Sequence, residues 1–378
     1  MRVNGPQIFI VHVIHHLVIG GMENGVVNLI NHLPRERFRH AVVCVEDFSD
    51  FQRRIERDDV EVYAMHRSQI GAWRLRWRLL KLLSSLKPDI VHSRNLSGLD
   101  ALLPARCLGI KTIHSEHGFD IDDVCGPTTK KAWLRRLHSP LVGCYVTVSR
   151  DLARRLTVDS GIAPRRVKQI YNGVDTDVFQ PRSDRCPDLL PIEWPREGLF
   201  VVGTVGRARP IKDQSTLLRA FAEVLQRGTA PREHLRLIIV GDGPALGSLR
   251  CLASELGVAA SVWFTGARAD VACLLQAMDL FVLPSLNEGI SNTLLEAMAC
   301  GLPVLATAVG GNVELLVENV VGGGFTPGDH GTLAAMINAY VEDPLRLRHH
   351  SAAARRRAVE KFSLQSMVSS YQRVYESI

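Results

Sequence analysis

The sequence predicts an α/β fold in two successive domains, each built on a parallel sheet, and three observations carry that expectation. Short apolar, β-branched runs recur along all 378 residues. Most are continuous rather than alternating, which suits strands buried on both faces. Segments of helical periodicity separate most of them, and strand–helix alternation over this length gives parallel sheets. The series breaks near 180–198, where QPRSDRCPDLLPIEWPRE carries Pro181, Pro187, Pro191 and Pro195 and little periodicity. Such a stretch reads as a linker and the start of a second domain.

Taken in order, strands are expected at 7–13, 40–45, 60–65, 89–93, 111–115, 144–149 and 166–171. A second series follows at 199–206, 235–243, 261–266, 279–285 and 302–310. Helical patterns cover Glu23–Leu33, Trp73–Leu86, Gln214–Gln226, Ala245–Leu256 and Thr293–Cys300, and the region from about 331 onward reads as helices. The expected domains are 1–180 and 181–361, followed by an amphipathic last piece over 362–378. The first run, IFIVHVIHHLVIG after Arg2, has the look of a signal peptide. His12, His15 and His16 interrupt it and no A-x-A site follows, so a first buried strand is the expectation.

Composition removes several function classes. A hydrophobic share of 46% is too high for a disordered chain. No apolar run approaches the ~18–20 residues of a membrane span. The net charge of +6 suits nucleic acid, an anionic membrane surface or a phosphorylated substrate. The positive residues are dispersed and no nucleic-acid recognition motif accompanies them, which argues against nucleic acid. The eight cysteines are scattered with no CxxC spacing, as expected of reduced packing thiols in a cytosol.

Ligands of doubly wound sheets sit beyond the carboxyl ends of the strands, and two such domains facing each other place a cleft there. The richest segment is PSLNEGISNTLLEAMACGLP (284–303). A strand ends, Glu288-Gly289 follow, and a helix then opens whose early turns hold Glu296. Gly289 permits close backbone approach. The amides of Ile290, Ser291, Asn292, Thr293 and Leu294 would form a positive helix end suited to phosphate. Glu288 and Glu296 would accept hydrogen bonds from sugar and ribose hydroxyls. Alternatively Glu296 closes a capping box with Thr293, and Glu288 is a solvated loop acid.

A second segment, GTVGRARPIKD (203–213), sets Arg207 and Lys212 five apart in a Gly/Pro loop. A guanidinium fork and an ammonium from one loop can hold a diphosphate, or be an ordinary basic loop. Gly20-Gly21 stands at a strand-to-helix turn, for backbone approach to a ligand or for the turn alone. His114-Ser115-Glu116-His117-Gly118 follows a strand end and is better suited to hydrogen-bonding a polar substrate than to a metal. GDGPALG (241–247) imitates a dinucleotide fingerprint with its last spacing one residue too long, leaving Gly243 in a nucleotide-side turn.

With these residues in hand, the sequence resembles the retaining GT-B glycosyltransferases of group 1, family GT4. The resemblance rests on Gly20-Gly21-Met22-Glu23, His117-Gly118, Val148-Ser149, Asn172-Gly173-Val174-Asp175 and Gly206-Arg207-x4-Lys212-Asp213. It continues through Gly241-Asp242-Gly243-Pro244, Phe264-Thr265-Gly266, the E-x7-E pair Glu288/Glu296 with EAMACGLPV, and Gly310-Gly311-x-x-Glu314. Within the family the chain looks most similar to bacterial sugar transferases of exopolysaccharide and PEP-CTERM loci.

The resemblance implies two Rossmann-like domains across a cleft and a last helix, from about 362, that crosses back to the first. It implies a nucleotide diphosphate sugar donor (UDP- or GDP-), a glycan or lipid-linked acceptor, and no cofactor or bound metal. Arg207 and Lys212 would hold the diphosphate, Glu296 the ribose, Glu288 and the amides after it the sugar and phosphate. Gly21 would approach the diphosphate from the first domain, and His117 would bind the donor sugar near the reacting centre. The chain has Gly118 where the family often has Asp. Two rivals share the architecture: a nucleotide-sugar epimerase and a non-catalytic membrane-associated assembly factor. The intact set of Arg207, Lys212, Glu288 and Glu296 disfavours both.

WRLRWRLLKLL (73–83) and KKAWLRRLH (130–138) combine Trp and Leu with cations, as helices on an anionic membrane surface do. The alternative is a surface helix with Leu and Trp in the core. The localisation expected is cytoplasmic, peripheral on the inner face of the membrane.

Overall fold

The computed structural model describes residues 7–118, 129–181, 189–195, 197–228 and 234–378. Part of the Pro-rich linker singled out above, residues 182–188 and 196, lies outside the described residues. The chain forms two compact units, 1–173 with 364–378, and 174–363.

The first unit is a parallel sheet. Its strands are β1 (Ile8–Ile14), β2 (Phe38–Cys44), β3 (Glu61–Ala64), β4 (Ile90–Arg94), β5 (Lys111–Glu116), β6 (Cys144–Thr147) and β7 (Val167–Gln169), in the spatial order β3-β2-β1-β4-β5-β6-β7. Helices α1 (Gly21–His32), α2 (Arg67–Leu86), α3 (Leu102–Cys107), α4 (Thr129–His138) and α5 (Arg150–Val158) run between them. The order reverses between β1 and β4, so a crevice opens beyond the ends of those two strands.

Alternation along β1 shows why the expected runs are continuously apolar. Ile10 joins Phe38, Ile90, Ile113 and Val146 on one face. Val11 and Val13 join Val43 and Val91 on the other, beneath Leu75, Leu79 and Leu83 of α2. Each leucine of that stripe is fully buried, contributing on the order of 1.5–3 kcal/mol. α2 begins six residues before the expected Trp73 and is interrupted at Gly71, whose φ of +72° breaks the helical path.

The second unit carries β8 (Phe200–Val205), β9 (Leu235–Val240), β10 (Val262–Gly266), β11 (Leu280–Leu283), β12 (Val304–Thr307) and β13 (Gly322–Phe325), in the order β10-β9-β8-β11-β12-β13, again parallel. Its helices are α6 (Gln214–Arg227), α7 (Leu246–Glu255), α8 (Val271–Gln276), α9 (Asn292–Ala299), α10 (Asn312–Leu315), α11 (His330–Glu342) and α12 (Pro344–Phe362). The order reverses between β8 and β11. β13 is absent from the expected strands because its sequence, GGGF, has no β-branched residue. A Cβ on Gly322 would lie 1.7 Å from the Val304 carbonyl oxygen, so β13 packs against β12 at a distance only glycine allows.

The last helix, α13 (Leu364–Ser377), belongs to the first unit. Leu364, Met367, Val368, Tyr371, Val374 and Tyr375 cover the Ile10 face of its sheet. The units divide at 173/174 and 363/364, beside the expected 180/181 and 361/362. Val174 already pairs with Ser363, and its N–H donates to Phe362 O at 2.8 Å.

Candidate active site

In the second unit the loops that follow β8 and β11 meet at the switch point. Leu286 N–H donates to Ile211 O at 2.8 Å, tying one loop to the other. Lys212 Nζ forms an ion pair with Glu288 Oε1. Lys212 is 25% exposed and Glu288 11%, so the pair is largely withdrawn from water yet open on one side. Lys212 closes a short 3₁₀ turn, Pro210–Lys212, and Asp213 after it has φ +43°. The Asp213 carboxylate accepts from Thr216 Oγ1 at 2.6 Å, fixing the turn to the start of α6.

Glycines support both loops from beneath. A Cβ on Gly241 would lie 2.0 Å from Gly206 O, and one on Gly243 2.5 Å from Ala208 O. Both glycines have positive φ, +132° and +152°. The Gly243 amide is taken by Asp242 Oδ1 at 2.7 Å. Gly243 therefore acts here as a close-packed support of the Arg207 loop, not as an open amide. Arg207 itself is exposed, with its backbone carbonyl accepting from Gln214 Nε2 at 3.2 Å. On the other side, Gly311 N–H donates to Glu288 O at 3.2 Å, and a Cβ on Gly310 would lie 1.9 Å from that same oxygen.

The capping-box reading of Glu296 fails on geometry. Ser291, not Thr293, is the N-cap of α9, and its hydroxyl accepts from Leu294 N–H at 3.3 Å. Glu296 thus stands two residues beyond the box position, which Leu294 occupies. The same cap corrects the expected row of amides: the Leu294 N–H is already engaged. Gly289, Asn292 and Thr293 are half-buried at this helix end, while the Ile290 and Ser291 side chains are buried.

In the first unit Gly20 and Gly21 open α1, and Gly20 O accepts from Asn24 N–H at 2.9 Å. His117 follows β5. Its N–H donates to Asn95 Oδ1 at 3.0 Å. Both of its ring nitrogens are buried, and neither has a hydrogen-bond partner among the described residues. Burial, then the charge of Arg94, push its pKa down to about 3, so the ring is neutral. His114 and Glu116 face inward; His114 Nδ1 and Glu116 have hydrogen-bond partners, whereas His114 Nε2 has none among the described residues. Ser93 Oγ lies 2.8 Å from His114 Nδ1, and Arg135 Nε donates to Glu116 Oε1 at 2.7 Å. Burial pushes the Glu116 carboxyl up, but His114 and Arg135 outweigh it and hold it at about 2.

Arg94, Asn95 and a histidine cluster were missed in the sequence reading. Arg94 is buried against His12 Nδ1 (3.1 Å) and His92 Nδ1 (3.3 Å), and His12 Nε2 lies 3.0 Å from His40 Nδ1. The signal was present as polar letters inside apolar runs, IVHSRN and FIVHV.

The two basic helices divide differently from either reading. α2 buries Leu75, Leu79 and Leu83 but leaves Trp73 80% and Trp77 55% exposed. Lys81 Nζ sits 3.7 Å above the Trp77 ring. Trp133 and Leu137 of α4 are also exposed. No helix among the described residues is long and apolar enough to cross a membrane.

Two parallel Rossmann-like sheets in succession are the architecture of the GT-B class of proteins. Residues 19–178 match the model of "Glycosyltransferase Family 4", and residues 191–357 that of "Glycosyl transferases group 1". The chain is 31% identical to a GDP-mannose-dependent alpha-mannosyltransferase of Mycobacterium tuberculosis, over 80% of this chain and 79% of that one. It is 26% identical to the UDP-Gal:alpha-D-GlcNAc-diphosphoundecaprenol alpha-1,3-galactosyltransferase of Escherichia coli, over 99% and 98%. The fold is shared with Anabaena Alr3699/HepE, solved in complex with UDP and glucose, at TM-score 0.84 and 22% identity over 98% of this chain and 100% of that one. The chain belongs to the group 1 glycosyltransferases, family 4.

Proposed function

We propose that the chain transfers a sugar from a UDP- or GDP-sugar to a glycan or lipid-linked acceptor, with retention of configuration and without a metal ion, in bacterial polysaccharide synthesis of the exopolysaccharide type. The observation that carries this reading is the Lys212–Glu288 pair at the β8/β11 switch point, held on loops that a backbone hydrogen bond joins. A leaving diphosphate gains negative charge as the sugar bond breaks. Cations placed beforehand stabilise that charge more than they stabilise the ground state. Arg207 and Lys212 take this role, Arg207 as a fork and Lys212 as a point charge. Glu296 receives the ribose hydroxyls. Glu288 orients Lys212 and accepts from the donor sugar, beside the amides of 289–293. Gly20-Gly21 and His117 are assigned to the diphosphate and the sugar.

The relatives' donors, a UDP-sugar and a GDP-sugar, support the donor class. The exposed Trp73 and Trp77 beside cations support an anionic membrane surface as partner, consistent with a lipid-linked acceptor. The test is thermal shift and release of UDP or GDP with UDP-glucose, UDP-galactose, UDP-N-acetylglucosamine and GDP-mannose, with and without EDTA. One of these raises the melting temperature and turns over equally in EDTA. Loss of turnover on chelation refutes the metal-free mechanism.

A further inference from the structure

Asn95 stands directly after β4, and its backbone is unusual. Its φ of +53° and ψ of −179° lie where a residue with a Cβ is strained, by roughly 1–3 kcal/mol. The conformation is locked on both sides. Asn95 N–H donates to Ser115 O at 2.9 Å, and Asn95 O accepts from Gly98 N–H at 3.1 Å. Gly98 is wedged in turn: a Cβ there would lie 3.0 Å from Ser93 Cβ. Glycine would occupy position 95 without strain. The side chain is therefore retained at a cost, and Oδ1 puts it to use by accepting the His117 N–H at 3.0 Å. The imidazole so held has two buried nitrogens with no partner among the described residues. A buried polar group left unpaired in the free protein is costly and points to a ligand that completes it.

We propose that Asn95 is the positioning residue of His117: its amide oxygen, set by the left-handed turn, fixes the His117 backbone so that the imidazole meets the donor sugar in one orientation. The inference rests on the reading that His117 serves the donor. It adds that the β4 end, far from the residues that grip the diphosphate in sequence, sets how the sugar is held.

Asn95→Gly removes the acceptor and relieves the strain. Its melting temperature stays equal to or above wild type, kcat for UDP or GDP release falls at least tenfold, and donor KM changes less than threefold. That split belongs to an interaction made in the transition state. Asn95→Asp keeps an acceptor for the N–H and adds a negative charge beside His117, favouring the protonated ring. Its kcat at pH 8 stays within threefold of wild type, and the acid limb of its pH profile moves to higher pH. A merely structural role lowers the melting temperature of Asn95→Gly and leaves the acid limb of Asn95→Asp in place; either result overturns the proposal. His117→Ala separates the two levels. If it is inactive while Asn95→Gly turns over normally, positioning fails and the His117 reading stands. If His117→Ala itself turns over normally, the reading fails and the proposal with it.

Discussion

Lys212→Ala tests the proposed chemistry most directly, because the structure separates its effect on turnover from its effect on folding. In the native protein the ammonium faces Glu288 in a site only 11–25% exposed. Removing it leaves a largely buried carboxylate without its counter-ion. An exposed pair is worth up to about 1 kcal/mol and a fully buried one costs about 3–5 when half is removed. This half-open pair falls between, at about 1–3 kcal/mol, which at about 2–4 °C per kcal/mol lowers the melting temperature by roughly 2–12 °C. The catalytic loss is larger and distinct. One cation fewer on the leaving diphosphate costs on the order of 10²–10³ in kcat, and an unbalanced Glu288 repels the donor as well. Adding Glu288→Gln to Lys212→Ala removes the stranded charge. The double variant regains most of the stability and stays below about 1% of wild-type kcat, as a double-mutant cycle of urea unfolding and UDP or GDP release will read. Lys212→Met keeps the aliphatic stem and is as inactive as Lys212→Ala. Turnover of Lys212→Ala within threefold of wild type, or its rescue by Glu288→Gln, refutes the assignment.

The first unit loses stability as pH falls below about 6.5. Burial, reinforced by neighbouring positive groups, lowers the pKa of His12, His40, His92 and His117, with His40 and His117 at about 3. Between about 6.5 and the folded value the unfolded chain takes up protons that the fold refuses, at about 1.4 kcal/mol per pH unit for each histidine that stays neutral. Amide exchange of β1 and β4 at pH 7.5 and 5.5 checks this, and equal protection at both overturns it. Glu116, held at about 2, adds a separate loss only below about pH 4.5. Replacing Trp73 and Trp77 together by Ser changes stability by less than about 1 kcal/mol, since both rings are exposed. It lowers flotation with phosphatidylglycerol vesicles several-fold; unchanged flotation, or none by the wild type, ends the membrane reading.

How much of this was legible in the sequence follows from what each residue does with its neighbours. Strands buried on both faces announce themselves, because burial demands mostly apolar residues, as β1 and β9 show despite the buried His12 and Arg236. β13 did not, because its requirement is the absence of a side chain: Gly322 lets it lie against β12, and propensity reads the run of three glycines as loop. The loop residues Arg207, Lys212 and Glu288 stood out through their residue types beside glycine. Their direct pairing did not, since 76 residues separate Lys212 from Glu288 and only the β8–β11 adjacency brings them together. The alternative cap at Thr293 lies two residues from the actual one, because Ser291 and Thr293 are both good caps, and only backbone geometry decides between them.

Asn95 marks where local reading ends. Next to a strand end, Asn reads as ordinary turn chemistry, and nothing in its own sequence context points 22 residues ahead to His117. Its significance appears only when three facts meet: a strained φ, a hydrogen bond to one particular amide, and an imidazole beyond it whose buried nitrogens have no partner among the described residues. Each has an ordinary explanation alone, as a turn, a clasp between strand ends, or a buried histidine. Together they are hard to reconcile with stability as the purpose. Glycine at 95 would be less strained, and both ring nitrogens of His117 lack a partner among the described residues, where His40 and His114 each lack one. On the proposed reading, the partner of the His117 ring is the donor sugar, and Asn95 holds the ring for it.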